Sequence, residues 1–287
     1  MRRVVKWLGI GAVVVVVLAL CAVGFVWIAS EQVMDRRHPV RPEPLPRPSP
    51  AAVAYAPHQM RLLGCFSCHG EGLRGNLMFH EENVANIWAP NVPLRIAGMS
   101  DEQIAQVLRQ GVKPDGTAVW VMPSKSMSRL TPEETTAIVA YLRTLPSTGK
   151  PTPPIELLPL GRIGVVTRKF NPEPTHLAAY KASYPADLGP QHAAGRKLAA
   201  LVCAECHGPA LEGMKMEDGN TPPSLDVVGA YDLPAFTTLM RTGKPPGGRD
   251  LGLMTVIAKE NLRHMTDAEI ASLYGYLKAR ADKATAG

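Results

Sequence analysis

Four of the five cysteines in this 287-residue chain form two copies of one pattern. "CFSCH" brings Cys65, Cys68 and His69 together, and "CAECH" does the same for Cys203, Cys206 and His207. Two thiols in that spacing, followed at once by an imidazole, match a c-type haem attachment. Each thiol can form a thioether to one of the two vinyl groups of a single haem, and the adjacent His then reaches the iron from one face. Other uses of a C-x-x-C pair fit less well. A dithiol oxidoreductase sets its pair among alternating strands and helices, and no strand pattern of useful length is readable here. A zinc site draws four ligands into one place, whereas these pairs lie 138 residues apart. Two haem c groups per chain are therefore expected, held by Cys65 with Cys68 and by Cys203 with Cys206, with His69 and His207 as axial ligands.

An iron that only carries electrons needs a second axial ligand, and the internal repeat selects among the twelve methionines. Gly111 and Met122 are eleven positions apart, as are Gly243 and Met254. The position equivalent to Met127 is Lys259, so Met122 and Met254 are the expected ligands, with Met127 as the competitor of Met122. His80 and His264 are further alternatives. Pro90 and Pro222 match at an offset of 132. A ligating His usually donates its other ring N–H to a carbonyl, and these two prolines are candidates to supply it.

The elements that must position these groups are helical. "SDEQIAQVLRQG" reads as a helix with Ser100 as N-cap, Gln103 at the capping-box position and Gly111 as stop, and Asp232 to Gly243 is its counterpart. Thr131 with Glu134, and Thr266 with Glu269, open two further helices that carry apolar residues at helical spacing. "PHQMRLLG" and "QHAAGRKLAALV" supply a short helix before each Cys pair. The segment Pro146 to Pro190, rich in proline at both ends, reads as a connector packed along both copies.

The chain opens on an uncharged stretch from Trp7 to Ala29, 23 residues, long enough to cross a bilayer as a helix. A cleavable signal has a shorter apolar core and small residues at its cleavage site, so an uncleaved anchor is expected. Cys21 reads as apolar filler in it. Prolines 39, 42, 44, 46, 48, 50 and 57 follow and leave no room for helix or central strand. The expectation is a semi-rigid stalk that lifts the domains off the membrane. The formal net charge is +6, but most of the basic excess lies before residue 58, and residues 190–287 carry as many acids as bases. No nucleic-acid footprint results.

With these features in place, each copy resembles the class I cytochrome c fold. The features that carry the resemblance are C-x-x-C-H after an N-terminal helix, a methionine in mid-domain ("VMPSKS", "LGLMTV") and a last helix with "AYLRTL" or "GYLKAR". The whole chain resembles a membrane-anchored dihaem c-type cytochrome and is similar to the haem domains of cytochrome subunits that serve membrane-associated dehydrogenases, although it departs from their three-haem pattern. The implied fold class is all-α: two tandem class I cytochrome c-like haem domains behind an N-terminal transmembrane helix. The expected parts are an anchor over 1–29 with its span at 7–29, a stalk over 30–57, a first domain over 58–148, a connector over 149–189 and a second domain over 190–287. Haem is attached outside the cytoplasm in bacteria, as the resemblance implies, so the domains are expected on the periplasmic side of the inner membrane. The expected role is electron carriage with no catalytic residues. The expected partners are redox proteins: a dehydrogenase, a quinol-oxidising complex, a soluble cytochrome or a terminal oxidase. The alternative is a dihaem enzyme, peroxidase-like or thiosulfate-oxidising, with one open iron.

Overall fold

The computed structural model describes residues 2–216 and 219–286. Met1 and Gly287, at the ends of the expected anchor and second domain, and Glu217 and Asp218 lie outside the described residues. Helix α1 (Arg2–Met34) is continuous through the apolar run and extends past Ala29. Its 33 residues reach about 50 Å at the usual helical rise. Most of its side chains are exposed, but Ser30 is fully buried.

From residue 35 to 49 the chain is irregular and lies along the first domain. The His38 N–H donates to the Gly116 carbonyl at 2.9 Å. The Gln110 side chain takes both polar groups of the Arg41 backbone, accepting from its N–H at 3.0 Å and donating to its carbonyl at 2.6 Å. Glu43 pairs with Arg109. The proline-rich segment is therefore a strap bonded to the first domain, not the expected stand-off stalk. Prolines keep it from forming a helix, and the backbone groups left free pair with side chains of the domain.

Helix α2 (Pro50–Leu62) begins inside the segment expected to exclude helix. Ser49 caps it, and Pro50 sits at the first position, where a missing N–H costs nothing. Pro57 lies in the helix interior and removes one hydrogen bond. The adjacent Ala56 and nearby Met60, each 1% exposed, bury against the end of the domain and outweigh that loss.

The first domain continues with α3 (Cys65–His69), β1 (Asn76–Glu81), β2 (Ala85–Ala89), α4 (Val92–Ile96), α5 (Asp101–Gln110), α6 (Ser124–Met127) and α7 (Pro132–Thr144). Both expected capping boxes form, at Ser100 with Gln103 and at Thr131 with Glu134. Gly111 ends α5 in the left-handed region, φ +68°. α2 packs across α7 around a core that includes Met60, Ile104, Met127, Ile138 and Leu142.

The strands were not expected. β1 and β2 form an antiparallel hairpin, extended by β3 (Glu156–Leu157) from the connector. β1 is almost wholly exposed, so no period of two is imposed on its residues. β2 does alternate, but it buries Ala85, Ile87 and Ala89, a pattern too short and too small to read. The molecule remains mostly helical.

The connector continues with α8 (Pro159–Val166) and α9 (Pro174–Ala182). Leu157 and Val165 join Trp120 of the first domain in a small core, with the Phe170 ring 5.1 Å from that of Trp120. Tyr180 of α9 is buried in the core of the second domain.

The second domain comprises α10 (Ala193–Val202), α11 (Ala204–His207), α12 (Leu233–Thr242), α13 (Leu253–Glu260) and α14 (Asp267–Ala286). Its first and last helices also cross, α10 on α14. They approach so closely at Gly195 that a Cβ there would lie 2.7 Å from Cβ of Tyr276, which is itself fully buried. Gly195→Ala should therefore destabilise the holoprotein by about 1–3 kcal/mol through overpacking. Gly275→Ala, on α14 with open space around it, should be neutral or stabilising by up to about 1 kcal/mol. Denaturant unfolding of the two variants checks this, and equal effects would refute the close crossing.

Candidate functional site

Each Cys motif is a single helical turn entered from the domain's first helix. In the first domain Gly64, in the left-handed region at φ +79°, breaks α2 and restarts the chain as α3. A side chain at Gly64 would crowd Asn261 of the second domain, 3.0 Å away. His69, at the end of α3, places Nδ1 2.8 Å from the Pro90 carbonyl oxygen. A carbonyl only accepts, so Nδ1 carries the proton and Nε2 keeps its lone pair. Burial lowers the pKa of His69, which keeps the ring neutral.

The second motif has the same geometry with one correction. His207 Nδ1 lies 2.8 Å from the carbonyl of Pro223, not of Pro222 as expected. The Pro222 carbonyl instead accepts from the Met214 N–H at 3.2 Å. The two prolines are adjacent, and the path to the accepting carbonyl is 16 residues from His207 against 21 from His69, so the repeat offset slips by one. Burial lowers the pKa of His207 as well.

These residues fit a covalently held haem. None of the four thiols is in a disulfide. Burial pushes the thiols of Cys65 and Cys203 up to about 12, opposite to the depressed thiol of a dithiol oxidoreductase. Among the described residues no group of three or more His, Cys, Asp or Glu could hold a bare metal ion. What each motif offers is two thiols and one neutral imidazole with Nε2 available.

Met122 lies at the fringe of the first core, the same fringe that holds Cys65 and Phe66. Met127 is 4% exposed inside that core, on α6. Met254, in the first turn of α13, is partly buried at the fringe of the second core, as is Cys203. Met265 is fully packed, 1% exposed. His80 sits on the exposed hairpin with Nδ1 2.6 Å from Asn86 Oδ1.

Sequence reasoning missed how the domains hold each other. Ser67, the third residue of the first motif, donates to Asn261 Oδ1 at 2.9 Å across the interface. Its repeat equivalent Glu205, in the second motif, accepts from Ser126 at 2.5 Å; by this contact Ser126 corresponds to Asn261, at an offset of 135, so Met127 corresponds to Leu262 and not to Lys259 as expected. The capping-box glutamates also reach across: Glu134 accepts from Lys197 at 2.5 Å and Glu269 from Tyr55 at 2.6 Å, with His58 Nε2 3.0 Å from Glu269. Leu62 of α2 is buried in the second core, and Leu201 of α10 in the first. The interface is thus nearly two-fold, and each motif is touched by the segment that precedes the other domain's last helix. The repeat offsets of 138 and 135 align these positions in sequence, but nothing in them says that they meet.

A half-buried charge cluster completes this interface. Lys125 Nζ lies 2.8 Å from Glu205 and 3.5 Å from Glu173. Burial pulls the Lys125 pKa down, but the two carboxylates outweigh it and raise it overall. Glu173 is pushed up to about 7, chiefly by burial and against the pull of Lys125. Its folded pKa therefore exceeds the ordinary carboxylate value of 4.5, and the native state binds more protons between these values. Stability should fall as pH rises through that window, by at most about 1.4 kcal/mol per pH unit. Glu173→Gln should flatten this slope while Lys125 keeps Glu205 as partner. Unfolding midpoints at several pH values between about 4.5 and 7 check it, and an unchanged slope would show that Glu173 does not titrate there.

Comparison with known proteins finds a family match within each domain. Residues 62–142 match the family described as cytochrome c oxidase, cbb3-type, subunit III, and residues 192–281 match the cytochrome c family. The chain is 24% identical to the fructose dehydrogenase cytochrome subunit of Gluconobacter japonicus, over 78% of this chain and 51% of that protein. It is 28% identical to the thiosulfate dehydrogenase electron acceptor of Thiomonas intermedia (strain K12), over 81% of this chain and 84% of that protein. The chain thus spans about half the length of the first relative and most of the second.

Proposed function

We propose that this dihaem cytochrome c, an electron-transfer protein, is fixed to the bacterial inner membrane by α1 with both domains on the periplasmic side, and passes electrons from a dehydrogenase to a downstream redox protein. The observation that carries the reading is the pair of equivalent Cys turns, each ending in a neutral His held through Nδ1 by a proline carbonyl. Cys65 with Cys68 and Cys203 with Cys206 supply the thioethers, and His69 and His207 the proximal ligands. Met122 and Met254 would supply the second iron ligand of each haem. In favour of Met122 over Met127 is its partly buried place at the edge of the first core, whereas Met127 is packed within that core.

Bound haem with His and Met on its axes is saturated and takes up and releases single electrons at raised potential. The chain's own part is to hold and tune that group. The proline carbonyls fix each imidazole's tautomer and orientation. The apolar cores around the motifs limit water and so favour the less charged, reduced state. The interdomain bonds from Ser67 and to Glu205 keep the two motifs in a fixed relation. A dehydrogenase as donor is supported by the relatives' names, one a cytochrome subunit of fructose dehydrogenase and one an electron acceptor of thiosulfate dehydrogenase. The anchor is supported by α1, which is long and apolar enough to cross a membrane.

Replacing Cys203 and Cys206 together by Ala should halve the covalent haem, measured on denaturing gels and by the visible spectrum. Met122→Ala and Met254→Ala should each open one iron to carbon monoxide and lower its potential. Met127→Ala should leave both irons closed and instead cost about 2–5 kcal/mol of stability. If Met127→Ala opens an iron and Met122→Ala does not, the ligand is misassigned and the carrier reading survives. If an iron of the unaltered protein binds carbon monoxide or reacts with peroxide, the chain is the dihaem enzyme instead.

A further inference from the structure

The uncharged run of α1, Trp7 to Ala29, rises about 34 Å as a helix, close to the roughly 30 Å of a bilayer's hydrocarbon. If α1 spans, the membrane surface on the domain side falls near Trp27 and Ser30. At this level α8 is packed onto α1. The Arg162 guanidinium stacks over the Trp27 ring at 3.6 Å, donates to Ser30 Oγ at 2.8 Å and pairs with Glu31 at 2.7 Å. Its Nε also donates to the Leu157 carbonyl at 3.2 Å, so the charge, though buried, is fully partnered.

The packed face of α8 is Gly161, Arg162 and Val165. Its outer face presents Leu160, 55% exposed, and Ile163, 44% exposed, less than one turn apart. The helix cannot roll to hide them. The N–H groups of Leu158 and Leu160 donate to the carbonyls of Val84 and Asn83 in the hairpin turn, at 2.9 and 2.8 Å. At Gly161 that turn passes so close that a Cβ would lie 3.1 Å from the Val84 carbonyl carbon. Two aliphatic side chains are thus held outward on a helix whose position is fixed by α1 itself. Arg168 and Lys169 follow α8, and Glu81 and Glu82 lie at the hairpin beside it, all exposed. The charges on this face are mixed, so apolar contact rather than charge would hold it to lipid.

We propose that α8 is a second membrane contact: Leu160 and Ile163 enter the headgroup–acyl boundary beside α1, so that the first domain rests on the lipid surface. The proposal rests on α1 as a transmembrane anchor, and it names what the apolar face of α8 is for. The occupant is lipid because α8 is packed on α1 at Trp27, Ser30 and Glu31, the level where a spanning α1 leaves the hydrocarbon. The strap over residues 35–49, bonded along the first domain, fits a domain held close to the surface.

The test uses the full holoprotein in liposomes of phosphatidylethanolamine and phosphatidylglycerol. With Cys21→Ser as background, single nitroxides are placed through Val16→Cys, Leu160→Cys, Ile163→Cys or Asp267→Cys, the haem cysteines being thioethers. Retention of two covalent haems shows that each variant is folded. Power saturation with oxygen and with a water-soluble nickel chelate reads depth. Labels at 160 and 163 should favour oxygen over nickel, at a depth between those at 16 and 267, and should not shift at raised ionic strength. If 160 and 163 match 267 while 16 lies in hydrocarbon, the anchor stands and the α8 contact is overturned. If 16 is itself open to nickel, the anchor fails and the α8 contact with it. Labels at 160 and 163 shielded from both reagents would mean a protein cover, and a loss of depth at raised salt would mean an electrostatic contact. Either outcome overturns the proposal.

Discussion

Each domain completes its core with a leucine from the other. Leu62, at the end of α2, is buried among Phe236, Leu239 and Met265 of the second domain, and Leu201, at the end of α10, joins Met60, Ile104 and Ile138 of the first. These leucines sit at the ends of the helices that lead into the Cys motifs, so the apolar contact that joins the domains also sets where the motifs lie. Hydrophobic burial is non-directional, and direction comes from the polar bonds beside it. Ser67 with Asn261, and Ser126 with Glu205, fix how the two turns face each other. A cavity of about 300 Å³ with an apolar floor remains between α2 and α10, where the two near-symmetric surfaces do not fully interlock.

A second constraint operates within each domain. A loop must return to bring a proline carbonyl within hydrogen-bond reach of the motif His. The first domain makes this return over 21 residues, through a β-hairpin, the second over 16, and both arrive at 2.8 Å. Different paths to one endpoint indicate that the endpoint matters and the path does not. The path of the first domain is used in another way: its hairpin pairs with β3 and supports α8, which in turn holds the end of α1. The attachment of the chain to its N-terminal helix is built from the first domain's hairpin, which has no counterpart among the described residues of the second domain.

The cluster of Lys125, Glu173 and Glu205 lies where connector, first domain and second domain meet. Two carboxylates share one ammonium there, and burial disfavours ionising both. Arg129 reinforces the same junction, stacked over the rings of Tyr180 and Tyr184 and donating to the Tyr180, Ser183 and Pro209 carbonyls. Such buried polar contacts contribute geometry more than net stability, as a fixed relation between two redox centres requires.

By itself the sequence determined the local chemistry: two C-x-x-C-H motifs, the capping boxes at Ser100, Thr131 and Thr266, the glycine stops at 111 and 243, and one helix apolar enough to span a membrane. Each is a short-range property, decided by residues within a turn or two of one another. Tertiary structure decided the rest. Pro222 and Pro223 are alike in sequence, and only the return path of the loop selects Pro223. The proline-rich strap reads as a free spacer until Gln110 and Arg109 are seen to bind it. Pro57 reads as a helix breaker until the burial of Ala56 and Met60 outweighs it. The hairpin carries too weak an alternation to be seen because β1 is exposed on both faces. The exchange of Leu62 and Leu201 is invisible in sequence for the plainest reason: burial depends on what lies across an interface, and an apolar residue does not record which core receives it.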